Sequence, residues 1–393
     1  MRLNQKKLAK NQRSKKWFWL ITVVLFLSCL FGLIIWLKPQ VGQLINPFIF
    51  SEPARQIEEP FAGQLYFNDQ LGQNKLSGVV IEAINQAQSI IELAVYSFDD
   101  KGIKEAIYQA AARGVKVKII LSAERQLVHQ QLFSDLPNNI ELIEIVSDSG
   151  YMHHKFLLVD RGQLNGQLLF GSYNFTSLQD KYDPSFLLVS QRPELIDSFG
   201  QEIDRLVDGN NGQAKTVGKN YLVDRFQYQD GFLEIWFGPQ NKSIGLKERM
   251  INLIDGTQDN LRAMIWNFTD QDIALAMLRA ARRRPVSLLV DDTNWFGDHS
   301  VNKIMSKSLF NKLEIITDAK RNQEVQELSG QAELSSFLHH HMLLIDNHIV
   351  VFGTNNWSSR GFFKNDESII ISNIKTLVDP FEQSFLFNYE KNK

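Results

Sequence analysis

The sequence predicts an α/β protein made of two pseudo-repeated α/β/α sandwich halves behind one N-terminal transmembrane helix. Three observations carry that expectation. A charge-free apolar run opens the chain, a strand–helix–strand pattern recurs at an offset of 170 residues, and each repeat ends in a histidine motif of the same spacing. Composition sets the frame: 393 residues suffice for two domains, or for one two-lobed domain with a substantial core. Hydrophobic content of 44% with 22% charged residues is ordinary for a globular protein, so disorder is not the default.

Residues 1–16 carry Arg2, Lys6, Lys7, Lys10, Arg13, Lys15 and Lys16 and no acid, and read as a basic cytoplasmic tail. Trp17 to Leu37 follows, 21 residues without a charge. As a helix this run spans about 30 Å, the thickness of a bilayer core. Trp17, Trp19 and Trp36 sit near its ends, where indoles favour the membrane interface. The positive-inside rule holds the tail in the cytoplasm and sends the chain after Lys38 across the membrane, so a single-pass cell-membrane protein is expected. A cleaved signal peptide is the competing reading. Its apolar core would be unusually long, and Lys38-Pro39-Gln40-Val41-Gly42 offers no A-x-A site, so an uncleaved anchor over 17–37 fits better. Cys29, inside this run, is the only cysteine, which excludes intrachain disulfides and thiolate metal sites.

Residues 38–61, with Pro39, Pro47, Pro53 and Pro60 and little periodicity, read as a linker. Beyond the first 38 residues the chain holds 34 bases against 44 acids. An acidic ectodomain is a poor non-specific polyanion binder, because neutralising phosphates takes a basic surface. Arg279, Arg282, Arg283 and Arg284 form the one dense basic cluster outside the tail, and read as the solvated end of a helix.

The first half is expected over 62–208. Ile91 to Phe98 has the apolar, aromatic and β-branched content of a buried strand. Asp100 is placed to cap a helix whose face is Ile103, Ala106, Ile107, Ala110 and Ala111; Arg113-Gly114 ends it, and Val115 to Leu121 is the next strand. The second half is expected over 219–393. There Phe268, Asp270, Ile273, Ala276, Ala280, Ala281 and Arg283 match Phe98, Asp100, Ile103, Ala106, Ala110, Ala111 and Arg113, and the short strand Val286 to Val290 follows. Near-continuous apolar strands alternating with helices point to sheets covered on both faces. The turn-rich stretch Asp208 to Gln213 marks the boundary between halves.

Each half ends in a predicted β-hairpin. In the first, His153-His154-Lys155 leads into an apolar strand, Phe156 to Val159, then Asp160, a loop, and a returning strand that ends in Gly171-Ser172-Tyr173-Asn174. In the second, His339-His340-His341 leads into Met342 to Ile345 and Asp346, and the return ends in Gly353-Thr354-Asn355-Asn356. On a strand, His153 and Lys155 project from one face, as do His339 and His341. An imidazole, a potential cation and amide donors converging on one point suit a tetrahedral anion such as phosphate. A zinc site is limited by the same alternation: at most His339 and His341 share a metal, and no third ligand is evident.

These residues resemble the phospholipase D superfamily, whose signature is a pair of H-x-K-x4-D motifs, each with a Gly-Ser/Thr-x-Asn partner. The likeness runs through the whole ectodomain. It implies a phosphodiesterase that uses neither metal nor cofactor: one histidine attacks phosphorus to form a phosphohistidine, the other protonates the leaving alcohol, and water or another alcohol releases the product. Carried over, His153 and His339 form the catalytic pair, with His153 favoured as nucleophile and His339 as general acid/base, and the reverse assignment as the alternative. Lys155, Asn174 and Asn356 bind phosphate, Ser172 and Thr354 stand nearby, and Asp160 and Asp346 support the fold around the site. Two positions depart from the pattern. His341 replaces the second lysine, which implies a cation that titrates near pH 6.5 and a rate that rises below neutral pH. The family's acid eleven residues beyond the tetrad asparagine is Glu367 in the second half but Ser185 in the first. The expected substrate is a phosphodiester, with phospholipid head groups favoured. A nuclease on the same fold and a phosphate-binding pseudoenzyme stand as alternatives.

Overall fold

The computed structural model describes residues 53–393, apart from short stretches at 73–74, 134, 148–149, 210–211, 213–215, 218–219, 222, 241–244 and 308–311. The basic tail, the expected anchor at 17–37 and the linker up to residue 52 lie outside the described residues. Among the described residues no helix is long and apolar enough to cross a membrane. Pro53–Lys393 forms one compact unit.

Two mixed sheets organise it. The strands in chain order are β1 (Arg55–Gln56), β2 (Gln64–Phe67), β3 (Ile90–Val95), β4 (Lys116–Ser122), β5 (Ile140–Ile145), β6 (Lys155–Val159), β7 (Gln167–Gly171) and β8 (Phe186–Ser190), then β9 (Thr216–Val217), β10 (Asn220–Tyr221), β11 (Val223–Tyr228), β12 (Gly231–Phe237), β13 (Leu261–Ile265), β14 (Val286–Val290), β15 (Leu313–Thr317), β16 (Met342–Ile345), β17 (Ile349–Gly353) and β18 (Ser368–Ser372). The first sheet runs β2-β8-β7-β6-β3-β4-β5, and the second contains the same series as β12-β18-β17-β16-β13-β14-β15. In both, the last three strands are parallel and the rest antiparallel. The duplication therefore extends to sheet order.

The second sheet is longer by β11 and β1. Its edge strand corrects the linker expectation at one end: from Pro53 on, the segment is built into the fold, with Arg55 and Gln56 paired to Phe226 and Gln227 and Phe61 buried. The four prolines concealed this, because an edge strand of two residues leaves no periodicity to read.

Alternation along the strands sorts the core into layers. On one face of the first sheet, Leu93, Ile119, Leu157 and Leu169 pack with Leu76, Val80 and Ile84 of the Lys75–Gln86 helix and Ile103 and Ile107 of the Lys101–Ala112 helix. Asp100 caps the latter by accepting from Ile103 N at 2.9 Å, and Asp270 does the same for Gln271–Ala281. The opposite face joins the two halves. Phe156, Phe170 and Leu188 meet Leu344, Phe352 and Ile370, with Phe199 of Pro193–Val207 and Phe381 of Lys375–Asn392 between them. Phe186 lies 5.4 Å from Phe352 and 5.0 Å from Phe381, edge to face. This shared phenylalanine layer brings the starts of β6 and β16 together. The arginine cluster lies at the exposed end of its helix, where Arg279 pairs with Asp255 at 2.8 Å and Arg283 donates to the Asp255 carbonyl at 2.8 Å.

Candidate functional site

The two histidine segments are held crosswise. His153 N donates to Asp366 O at 2.9 Å and Asp366 N returns a bond to Tyr151 O at 2.9 Å, so half two braces the motif of half one. In the mirror arrangement His339 N donates to Pro184 O at 3.0 Å. Two residues ahead of each histidine, Tyr151 N bonds Asn365 Oδ1 at 3.0 Å and Phe337 N bonds Asp183 Oδ1 at 2.9 Å. Each histidine is therefore positioned by the loop that follows the opposite half's tetrad. Burial lifts the Asp183 carboxyl to about 7, against the Phe337 bond and Arg321, which hold it down.

His153 Nδ1 lies 2.9 Å from Glu367 Oε2. The same oxygen accepts from Thr354 Oγ1 at 2.5 Å, and Asn365 Nδ2 holds Oε1 at 2.9 Å. In its ionised form Glu367 can only accept, so Nδ1 then carries the proton and Nε2 keeps its lone pair. Burial pushes the Glu367 carboxyl up to about 7, opposed by Lys155 and these hydrogen bonds. Burial, then Lys155 and His154, hold His153 well below the ordinary imidazole value.

Lys155 is fully buried at the start of β6, donates from Nζ to His153 O at 2.9 Å and lies 5.6 Å from the Tyr96 ring centre. Burial lowers its pKa to about 7, with Glu367 acting to raise it. Tyr96 packs on His153 with ring centres 5.0 Å apart.

His339 has no carboxylate on Nδ1. That nitrogen meets the Ser172 carbonyl at 3.0 Å and His341 Nε2 at 3.3 Å, while the Trp266 indole stacks on the ring at 5.5 Å. Tyr96 and Trp266 are separated by the repeat offset, so each histidine has an aromatic wall from the residue just after the equivalent strand, β3 or β13. Sequence reasoning passed over both; the 170-residue register carried the signal.

At His341 the two motifs part. Lys155 is the first residue of β6, but His341 precedes β16 with φ 44°, in the left-handed region. The expected strand alternation does not hold at this residue. Burial, then His339, Lys155 and His153, keep His341 well below the usual imidazole pKa, so it is neutral at neutral pH rather than a second cation.

Ser172 Oγ accepts from Phe186 N at 3.2 Å and Thr354 Oγ1 from Ser368 N at 3.0 Å, so both hydroxyls brace the returning strand. The Oδ1 atoms of Asn174 and Asn356 are buried and unpartnered. Asp160 and Asp346 sit at the far ends of β6 and β16, removed from the histidines. Asp160 accepts from Gln88 N, Ser89 N, Ser89 Oγ and Ile90 N, which together outweigh burial and lower its pKa. Asp346 likewise accepts from Gln258 N, Asp259 N and Asn260 N. Both take φ above 50°, where Asp and Asn fit better than most residues.

The middle histidines form a second tier. His154 bonds Ser368 Oγ at 2.6 Å and Glu202 Oε1 at 2.9 Å, and His340 pairs with Asp69 at 3.0 Å. His154, Glu202 and Asp366 are the group among the described residues whose ligand-type atoms cluster, within 4.8 Å of one another. Both ring nitrogens of His154 are already engaged in this network.

A family model described as "Cardiolipin synthase, PLD-like domain" matches residues 80–207 and 250–387. The mitochondrial cardiolipin hydrolase of Danio rerio is 26% identical over 148 residues, which cover 37% of this chain and 63% of that protein. A phospholipase D of Rickettsia bellii is 32% identical over 125 residues, 31% of this chain and 59% of that protein. The chain thus spans less than two thirds of the length of these relatives. Among solved structures, the phosphatidylserine synthase of Haemophilus influenzae Rd KW20 superposes with a TM-score of 0.55 at 17% identity, covering 85% of this chain and 89% of that one.

Proposed function

The chain belongs to the phospholipase D superfamily, and from that premise we propose that it is a phosphodiesterase that works through a phosphohistidine and acts on phospholipid head groups. The observation that carries this reading is the pair of buried imidazoles, one from each half, each with its Nδ1 engaged by an acceptor, which assigns the chemistry to Nε2. In the first step His153 Nε2 attacks phosphorus, the bond to the leaving alcohol breaks, and a protonated His339 gives that oxygen its proton. In the second, water attacks phosphorus, His339 takes the proton back, and the N–P bond breaks. Glu367 orients His153 and stabilises it as positive charge develops. Lys155 and the Asn174 and Asn356 amides are assigned to the non-bridging oxygens. The substrate's negative charge favours both the charged lysine and a protonated His339, offsetting the burial that otherwise keeps them neutral.

Phospholipid is preferred over nucleic acid because the ectodomain carries 34 bases against 44 acids, and because the matched relatives are named for lipid chemistry. An uncleaved anchor at residues 17–37 would hold the site beside the bilayer, outside the cytoplasm. The test uses the full-length chain in detergent with labelled phosphatidylcholine or cardiolipin vesicles, and with single- and double-stranded DNA. Lipid hydrolysis that persists in EDTA and disappears in His153→Ala is expected. Cleavage of DNA alone would reassign the substrate, and loss of turnover in EDTA or its survival in the alanine variant would remove the phosphohistidine.

A further inference from the structure

His341 and Ser185 look like two separate defects, a lost lysine and a lost acid. We propose instead that they compensate each other: His341 is a positioning residue that forms a hydrogen-bonded dyad with His339 and replaces the carboxylate absent at position 185. The inference rests on the phosphodiesterase reading for its catalytic meaning, but its geometry stands without it.

Proton logic fixes the dyad. The Ser172 carbonyl, 3.0 Å from His339 Nδ1, can only accept, so Nδ1 carries a proton. His341 Nε2 lies 3.3 Å from that same nitrogen, and two N–H groups cannot face each other, so Nε2 presents its lone pair. His341 is therefore the Nδ1–H tautomer, and that Nδ1 is buried without a partner. The rings meet at 4.7 Å and 82°, nitrogen against ring edge.

Pseudo-symmetry shows what is replaced. Glu367 and Ser185 hold equivalent places, each immediately before the strand that follows its tetrad. Glu367 reaches His153 Nδ1, whereas the Ser185 hydroxyl is turned to Gln179 Nε2 at 2.9 Å and the Asp183 carbonyl at 3.2 Å. Gln179 also donates to Ser172 O at 3.2 Å, steadying the other acceptor of the His339 proton. The backbone agrees: at φ 44° His341 leaves the extended path that Lys155 follows, for a left-handed conformation that L-residues seldom adopt. The charged and titratable neighbours of the dyad are Lys155, His153 and His340. A lysine at 341 would add a second cation beside Lys155 and take away the acceptor, so the histidine suits a half that has no acid.

Two measurements on the full-length chain in detergent micelles test this. The first labels histidine with 15N and reads the tautomers by long-range proton–nitrogen correlation, with signals assigned from His339→Gln and His341→Leu. Nδ1–H tautomers are expected for both residues at neutral pH; an Nε2–H or imidazolium form of His341 overturns the dyad. The second compares kcat and its pH profile in His341→Leu and in His341→Leu/Ser185→Glu. Loss of one hydrogen-bond acceptor lowers kcat about tenfold, and the added carboxylate restores it to within about threefold. Unchanged kcat in the single variant, or no gain in the double, also overturns the proposal. The tautomer reading needs no turnover. An inactive wild type that shows the dyad therefore refutes the phosphodiesterase reading alone, and an active wild type lacking it refutes the dyad alone.

Discussion

Lys155→Met separates what the site needs from what the fold prefers. Lys155 is fully buried and makes one hydrogen bond, to His153 O, and its pKa falls from 10.5 to about 7. At about 1.4 kcal/mol for each tenfold loss of proton affinity, holding this lysine charged costs the folded state roughly 5 kcal/mol. The sign follows from proton counting. Between pH 7 and 10.5 the unfolded chain binds this proton and the folded chain does not, so the lysine's own contribution to wild-type stability rises with pH across that window. Methionine has similar volume and no charge, so the variant is expected to be the more stable protein at pH 6. Its advantage should then shrink by about 2 kcal/mol from pH 7 to pH 9. Glu367 acts in the same direction: without the cation its pKa rises beyond about 7, which lowers the variant's stability as pH rises. Urea unfolding followed by tryptophan fluorescence at pH 6, 7, 8 and 9 measures the gap, and hydrolysis assays should show at least a hundredfold loss of kcat. A gap that stays constant over this range, or a variant less stable than wild type at pH 6, would refute the buried-cation account.

Asp160→Asn removes the charge from a carboxylate that four donors around residues 88–90 share. It should cost about 2–4 kcal/mol of stability while leaving kcat per folded molecule within about twofold. Because the native pKa is depressed, the wild-type contribution is present above the unfolded value of 3.8 and lost on acidification, so the variant's stability should vary less below pH 4. Burial and neighbouring Asp291 raise Asp318 to about 8, and its Oδ2 has no partner. The Asp318 contribution to wild-type stability should therefore fall as pH rises from about 4 towards 8, and Asp318→Asn should remove that component and be the more stable protein at pH 8. A slope unchanged or steeper in the variant would refute the raised Asp318 carboxyl.

The parts of the molecule that were legible in the chain are those with local period. Both hairpins follow from short apolar runs bounded by turn residues. The two halves follow from one offset that aligns Phe98, Asp100 and Ile103 with Phe268, Asp270 and Ile273. The helix faces and the Asp100 cap also come from spacing alone. What stayed hidden is carried by contacts between distant residues. His154 with Glu202, His340 with Asp69, and the buried Arg321 with the carbonyls of Asp69 and Tyr182 have no shared period to mark them. The exchange at His341 was hidden for a further reason. Aligned position by position, histidine for lysine reads as a weaker cation, because the comparison assumes that both residues continue a strand. The left-handed turn at 341 breaks that assumption, and the ring then answers to the nitrogen beside it rather than to the lysine it replaces. A substitution at a candidate site is therefore judged by which atom it faces, and His341 faces His339 Nδ1, the counterpart of the His153 nitrogen that Glu367 holds in the other half.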